Sequence, residues 1–338
     1  MPRMTSYGFG VTALCAGMAV AFAMNAATAQ AANYKIAFLA ASSENGFNQA
    51  IYDGIKKRAA KLGNVDVEIF NGEFNAEKQY NQVEDLVASK KFQAIIIEPN
   101  DTVGIANALK DAIAANIKVV TELFPIGPKL DTLEPQIPGL TATVAANPAI
   151  GAKAEAEGVV KYCEKKDPCN VVIMIGQKIY PFDNLRYNTF LDTLKPHANI
   201  KVVATVEGSY DENKSMAGMQ DVLQAHKDIN AILSNADQHV TGALIALKDA
   251  GIDPKTLYII GGGASQIAIK QIRDGQVTAT LAYFPVTTGE YGLQAAVDAL
   301  DGKKVDPVID ADKIGAVPAL IDKAVLDAHP DFIGEWAQ

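Results

Sequence analysis

Residues 35–63 read KIAFLAASSENGFNQAIYDGIKKRAAKLG. Lys35–Ala41 is a short, nearly continuous apolar run, the pattern of a parallel strand buried on both faces. A polar turn, Ser42-Ser43-Glu44-Asn45-Gly46, leads into a helical pattern. Phe47, Ile51, Ile55, Ala59 and Leu62 recur at spacings of three and four and form one apolar stripe. Lys56, Lys57, Arg58 and Lys61 fall in the second half, where they suit the negative end of the helix dipole, and Gly63 stands where a C′ glycine belongs. Strand, loop and helix together predict the opening unit of a doubly wound α/β domain. Such folds bind ligands beyond the carboxyl ends of their strands, which makes Ser42–Asn48 a candidate ligand loop.

The alternation continues. Strands are expected at Val65–Phe70, Gln93–Glu98 and Ile117–Leu123, with helices at Ala76–Ser89 and Val103–Ala115. Phe124–Leu140, FPIGPKLDTLEPQIPGL, carries four prolines and two glycines and reads as a long irregular loop on the rim of a cleft. Leu140–Ala146 reads as a strand leading out of the first domain. The pattern then restarts. Helices are expected at Ala149–Tyr162, Asn184–Leu194, Lys214–Ala225, Val240–Ala250, Gln266–Arg273 and Thr288–Leu300. Between them lie strands at Asn170–Ile175, Lys201–Val206, Ala231–Ser234, Leu257–Ile260 and Thr278–Phe284. The fold class is α/β, with two parallel-sheet lobes.

The beginning of the chain, one Arg followed by the small and apolar run Gly10–Ala23 and then Ala29-Gln30-Ala31, reads as a signal peptide over residues 1–31. Its apolar stretch is short for a spanning helix. Leu14 ahead of Cys15 is not the small residue of a lipidation site. With a formal charge of −9 and no basic cluster, the chain lacks the footprint of nucleic-acid or anionic-membrane binding. Cys163 and Cys169, in YCEKKDPCN, are the cysteines left after processing, and an oxidising compartment predicts a disulfide between them. No further Cys or His stands at ligand spacing, so no metal site is expected.

Catalytic signatures are missing. Gly261-Gly262-Gly263 completes neither a dinucleotide fingerprint nor a phosphate loop. Ser265 is not in a nucleophile elbow, and the four histidines are scattered. Neither an enzyme nor a cofactor is expected. Binding residues are instead sought just past the strands. They are Glu44, Asn45, Phe47 and Asn48, then Glu98 and Asn100, then Glu122 and Phe124. In the second lobe come Tyr180, Phe182, Asp183 and Arg186, then Tyr210, then Asn235, Asp237 and Gln238, and finally Tyr283. Aromatic faces cover the C–H surface of a sugar or polyol while planar polar groups bind its hydroxyls. Arg186 opens a helix, where the dipole disfavours a cation, so another group is expected to hold it.

The first loop with Asn45 and Phe47, VEDLVASKKFQAIIIEPND at 83–101, AILSNADQHVTGALIALKDAG at 231–251 and DGQVTATLAYFP at 274–285 together resemble the periplasmic sugar-binding proteins of ABC importers. The resemblance is to their ribose-binding-like group, with the type I periplasmic binding protein fold, and covers nearly the whole mature chain. It implies three crossovers, at about 143–147, 283–285 and 304–315. The lobes would then be 32–144 plus 285–305 and 145–284 plus 306–338. It further implies a monomer in the periplasm that closes on a sugar-like ligand and delivers it to ABC permease subunits. A receptor input, or a less polar or cationic solute, stays open as an alternative. So does the effector domain of a regulator, which the signal peptide disfavours. Asn45, Phe47, Arg186 and Tyr210 match the group's ligand-contacting positions, and Asn235 or Asp237 falls near its Asn. The departures are Leu123-Phe124 for an Asp-Arg pair, Gly263 for an Asp and Tyr283 for a Gln. They imply a ligand less hydroxylated than ribose, such as a deoxy or aromatic-bearing sugar derivative, or a polyol in an altered pose.

Overall fold

The computed structural model describes residues 1–5, 8 and 33–338. The signal-peptide reading, with Cys15, lies almost wholly outside them. No described helix is long and apolar enough to cross a membrane.

The opening unit forms as its pattern requires. Strand β1 (Tyr34–Ala40) is fully buried from Ile36 onward. It lies between β2 (Val65–Asn71) and β3 (Ala94–Ile97), parallel to both, with Phe38 opposite Ile69 and Ile96. Helix α1 (Gly46–Leu62) is started by Asn45, whose side chain accepts from the backbone N–H groups of Phe47 and Asn48. Gly63 ends it in the left-handed conformation.

The first sheet is completed by β4 (Lys118–Leu123), β5 (Ala142–Ala145) and β11 (Val308–Asp310), in the order β11-β5-β4-β3-β1-β2, all parallel. Alternate side chains split its core into two layers. Ile36 and Phe38 pack with α1 and α9 (Pro285–Leu300). Ala37 and Leu39 pack with α2 (Ala76–Ser89) and α3 (Ala106–Ala114).

The second sheet repeats the plan with β6 (Cys169–Ile175), β7 (Ile200–Glu207), β8 (Ala231–Ser234), β9 (Tyr258–Gly263), β10 (Ala279–Ala282) and β12 (Leu320–Asp322). The order is β12-β10-β9-β8-β6-β7, and only β12 runs antiparallel. Helices α4 (Pro148–Cys163) and α5 (Pro181–Leu194) cover one face. The other is covered by α6 (Glu212–Ala225), α7 (Asp237–Asp249) and α8 (Gln266–Arg273). Two short helices, α10 (Ala311–Ile314) and α11 (Lys323–Ala328), follow β11 and β12.

The chain passes between the sheets after β5, after β10 and after β11. The last passage differs from the expected division, because Val308–Asp310 pairs with β5 on the first sheet although the resemblance implies that residues 306–338 belong to the second lobe. Three-residue strands carry no readable period, which also explains why β11, β12, α10 and α11 were not anticipated. Helix α5 begins earlier than expected, with Pro181 in its first turn, a position where the missing N–H costs nothing. Arg186 therefore sits in the second turn rather than at the opening.

Residues 124–140 hold no regular structure, but the loop is anchored. Ile126, Ile137 and Leu140 are buried in the first sheet's outer core layer, and Gly127 N–H donates to the Thr102 carbonyl at 2.9 Å. Cys163, the last residue of α4, is disulfide-bonded to Cys169, the first of β6, with Cα atoms 5.7 Å apart.

Candidate functional site

The carboxyl ends of both sheets converge on a cavity of about 70 Å³. The first half contributes Asn45, Phe47 and Asn48 from the start of α1, Phe74 after β2, Glu98 and Asn100 after β3, and Leu123 and Phe124 at the end of β4. The second contributes Gln177, Tyr180, Phe182 and Arg186 after β6, then Tyr210, Asn235, Gln238 and Gly263. Tyr283 enters from the passage after β10, and Trp336 from the last residues of the sequence. Phe74, Leu123 and Tyr210 take left-handed backbone conformations (φ 50°, 70° and 57°), uncommon for bulky residues, so backbone strain concentrates in the cavity wall.

Aromatic rings close the cavity across the two halves. Phe124 stacks on Phe182 with centroids 3.9 Å apart, and Phe74 stacks on Tyr210 at 5.8 Å. The Tyr180 hydroxyl donates to the Phe74 carbonyl. Phe47 meets Tyr283 and Trp336 edge-on, at 6.4 and 5.4 Å.

One buried polar network sits against this wall. Arg186 Nη2 donates to Asp183 Oδ1 and to the Tyr210 hydroxyl, both at 2.6 Å. The Tyr210 hydroxyl itself donates to Asp183 Oδ1 at 2.6 Å, and Asn235 Nδ2 reaches the same oxygen at 3.1 Å. Asp183 Oδ2 accepts the Gln177 N–H at 2.7 Å. The carboxylate is thus the group that holds the cation expected to need holding. The guanidinium also lies 5.4 Å from the centroids of both Phe124 and Phe182, within cation–π range. Arg186 Nε and Asn235 Oδ1, on two residues that line the cavity, are buried with no partner among the described residues, which leaves one donor and one acceptor unsatisfied within the protein.

Tyr210 is positioned from behind. Its N–H donates to His239 Nε2 at 3.0 Å, which leaves the imidazole proton on Nδ1, facing Ser234 Oγ at 3.2 Å. Burial pulls His239 down to about 3, so it stays neutral.

Four candidates of the sequence reading do not line the cavity. Glu44 is exposed on its loop. Asp183 lies behind Arg186, as its hydrogen bonds require. Asp237 is buried, accepting from Ser265 N–H and the Thr280 hydroxyl at 2.8 Å each, and so braces the turn after β9. Glu122 is buried beneath α9 with neither oxygen partnered among the described residues, and a Cβ at Gly292 would lie 1.7 Å from its Oε1. Strand alternation explains the miss: Glu122 and Phe124 flank Leu123, whose left-handed turn sends Phe124 rather than Glu122 to the cleft.

Among the described residues, the one carboxyl lining the cavity is Glu98. It accepts from Asn48 Nδ2 at 2.8 Å and Ala41 N–H at 3.3 Å, yet burial pushes it up to about 8. It is mostly protonated at neutral pH, and Arg186 is balanced by Asp183. The cavity therefore presents a nearly neutral wall. Asn45 lines the cavity while its side-chain oxygen is already used in capping α1. Asn48, Phe47, Phe124, Arg186, Tyr210, Asn235 and Tyr283 all line it.

Sequence reasoning missed Trp336, Phe74 and Gln177. Phe74 and Gln177 lie just past strands, so the rule that found the others reaches them too. Trp336 had one signal, as the only tryptophan of the chain.

A family profile described as periplasmic binding protein domain matches residues 36–304. The ribose import binding protein of Bacillus subtilis is 29% identical over 285 residues, covering 82% of this chain and 85% of that protein. The galactofuranose-binding protein of Escherichia coli is 29% identical over 293 residues, covering 85% and 87%. Among solved structures, an ABC transporter solute binding protein from Mycobacterium smegmatis with bound glycerol superposes with a TM-score of 0.74. It is 25% identical, over 90% of this chain and 99% of that one.

Proposed function

The chain belongs to the periplasmic binding protein domain family, and from that premise we propose that it captures a neutral sugar between its two halves and presents it to an ABC permease in the periplasm. It is a binding protein and not an enzyme. The observation that carries the reading is the cavity wall. Aromatic faces come from both sides, next to one free donor on Arg186 and one free acceptor on Asn235. Rings cover C–H faces, and the two polar atoms orient hydroxyls. The near-neutral wall favours an uncharged ligand over a cationic one. Relatives named for ribose and galactofuranose support the same ligand class.

The two halves move as lobes about the three passages after β5, β10 and β11, and the ligand contributes the contacts that favour the closed form. The binding set is Asn48, Phe47, Phe124, Arg186, Tyr210, Asn235 and Tyr283, joined by Glu98 and Gln238. Asp183 positions Arg186. The protein acts as a monomer, without a nucleic-acid partner, in keeping with its net charge of −9. The test is mass spectrometry of the small molecule that co-purifies with the protein, followed by calorimetry with that compound and with ribose, allose, galactose and their deoxy relatives. A sugar with micromolar or tighter affinity is expected. Exclusive binding of an amino acid or a cationic amine would overturn the reading.

A further inference from the structure

The last residues of the sequence run back from the second half of the molecule to the first. Arg273 of α8 gathers the carbonyls of His329, Pro330 and Phe332, which fixes where this run begins. Gly334 (φ 90°) then turns the chain against Ala264 and Gln266, where a Cβ would lie 2.6 Å from the Ala264 carbonyl oxygen. From there the contacts alternate between the halves. Glu335 accepts from the N–H and the hydroxyl of Thr287 on α9, which belongs to the first half. The carbonyl of Trp336 accepts the Gln266 N–H at 2.9 Å, in the second half. Gln338 accepts from the Ser265 hydroxyl at 3.0 Å, again in the second half, while a Cβ at Gly46, the start of α1, would lie 3.0 Å from the Ala337 carbonyl oxygen.

Trp336 is the centre of this run. Its indole is 3% exposed and packs edge-on against Phe47 of α1, while its Nε1 donates to the Gly263 carbonyl at the end of β9 at 2.7 Å. One side chain therefore touches both halves and lines the cavity. Gly263 (φ 122°) has the ring 2.9 Å from where a Cβ would stand, so a larger residue there would displace the indole. Because the indole N–H is spent on that carbonyl, the surface left to a ligand is apolar.

We propose that Gly334–Gln338 is a strap that ties the two lobes together and supplies Trp336 as an apolar, specificity-determining wall of the ligand site. It rests on the sugar-binding reading for the ligand, though not for the strap itself. A segment outside both sheets then sets affinity and closure together. The indole accepts a C–H face or methyl group of a sugar ring and rejects a hydroxyl directed at it, since the hydroxyl would lose its water with no acceptor in return.

Because Trp336 is the only tryptophan, its fluorescence reports this contact alone. The full chain is titrated with D-ribose, D-allose, D-galactose, D-fucose and L-arabinose, by calorimetry and by emission excited at 295 nm. For any sugar that gives saturating heat, the emission should change with the same midpoint. Trp336→Ala should raise that Kd at least ten-fold, and Glu335→Ala, which leaves the cavity wall intact, several-fold, with both circular dichroism spectra unchanged. Unaltered emission at saturation, together with Kd values within two-fold for both variants, would overturn the proposal. If none of these five sugars gives heat, the choice of ligand has failed and not the strap, which is then judged without ligand. Acrylamide should quench the native tryptophan several-fold less than the urea-unfolded one, and Glu335→Ala should raise that quenching. Native quenching equal to the unfolded value would rule the strap out.

Discussion

The rings of Phe124 and Phe182 lie face to face across the cleft, 3.9 Å between centroids and 18° from parallel. One ring ends a strand of the first sheet and the other lies in the first turn of a helix on the second. Their contact exists only when the halves are together, and the Arg186 guanidinium lies 5.4 Å from both ring centroids.

That relationship predicts coupled effects on closure. An aromatic pair contributes about 0.5–1.5 kcal/mol beyond the area it buries. Phe124→Ala should therefore weaken sugar binding by between about two- and ten-fold, and Phe182→Ala should add little once Phe124 is gone. Small-angle scattering should show a smaller radius of gyration with ligand, and a smaller change for Phe124→Ala. Strictly additive losses in the double variant would show that the rings act independently.

Asp183 and Arg186 form a buried ion pair, with side chains 0% and 3% exposed. Removing one partner leaves the other charge buried and uncompensated, typically at a cost of about 3–5 kcal/mol. Asp183→Ala should lower stability by that amount in urea titration and abolish sugar binding. A loss under about 1 kcal/mol would mean that the pair is solvated in solution.

Stability should fall as pH rises from about 5 to 8. Unfolded glutamates release their protons near pH 4.5, but burial raises Glu98 to about 8 and holds Glu122 and Glu155 well above the ordinary range. In that window the folded protein keeps protons that the unfolded chain has lost, and each unit of difference is worth about 1.4 kcal/mol. Glu122→Gln, which cannot ionise, should match the parent near pH 5 and become progressively more stable than it as pH rises toward 8. His239 acts in the opposite direction. Its ordinary value of 6.5 is lowered to about 3, so stability is also lost as pH falls from 6.5 toward 3. Urea midpoints taken between pH 4 and 9 check both slopes, and a flat profile from 5 to 8 would contradict the buried-carboxylate account.

The disulfide closes a short loop between α4 and β6, six residues apart in sequence. In the chain-entropy account so small a loop contributes about 2 kcal/mol. Replacing Cys163 and Cys169 by alanine should cost that much or slightly more, since both side chains are fully buried, and should leave sugar affinity unchanged because neither reaches the cavity. Thiol titration of the unreduced, unfolded parent should find no free thiol at either position.

Periodicity and punctuation were enough for most of the fold. Lys35–Gly63 carries a buried-strand run, a cap, a stripe and a C′ glycine in one stretch, each a local property of the chain. Asn45 shows the limit of such a reading. Its place past a strand marks it as a ligand residue, and it does line the cavity, but its side-chain oxygen is consumed in capping α1. Short elements were illegible for a related reason: β11 and β12, three residues each, take their identity from the neighbours they pair with.

The sequence by itself determined two α/β sheets, their order along the chain, the cysteine pair and the set of strand-end loops from which a site had to be built. These follow from local periodicity, turn chemistry and spacing, which need no knowledge of distant neighbours. Tertiary structure alone decided which strand-end residues face the cleft, because one left-handed residue, Leu123, separates the cavity-facing Phe124 from the buried Glu122. It alone brought Asp183 behind Arg186 and laid Trp336 between Phe47 and Gly263. The Trp336 contacts join residues 73 and 289 positions apart, and no local pattern encodes a pairing whose free energy exists only once both sheets have formed.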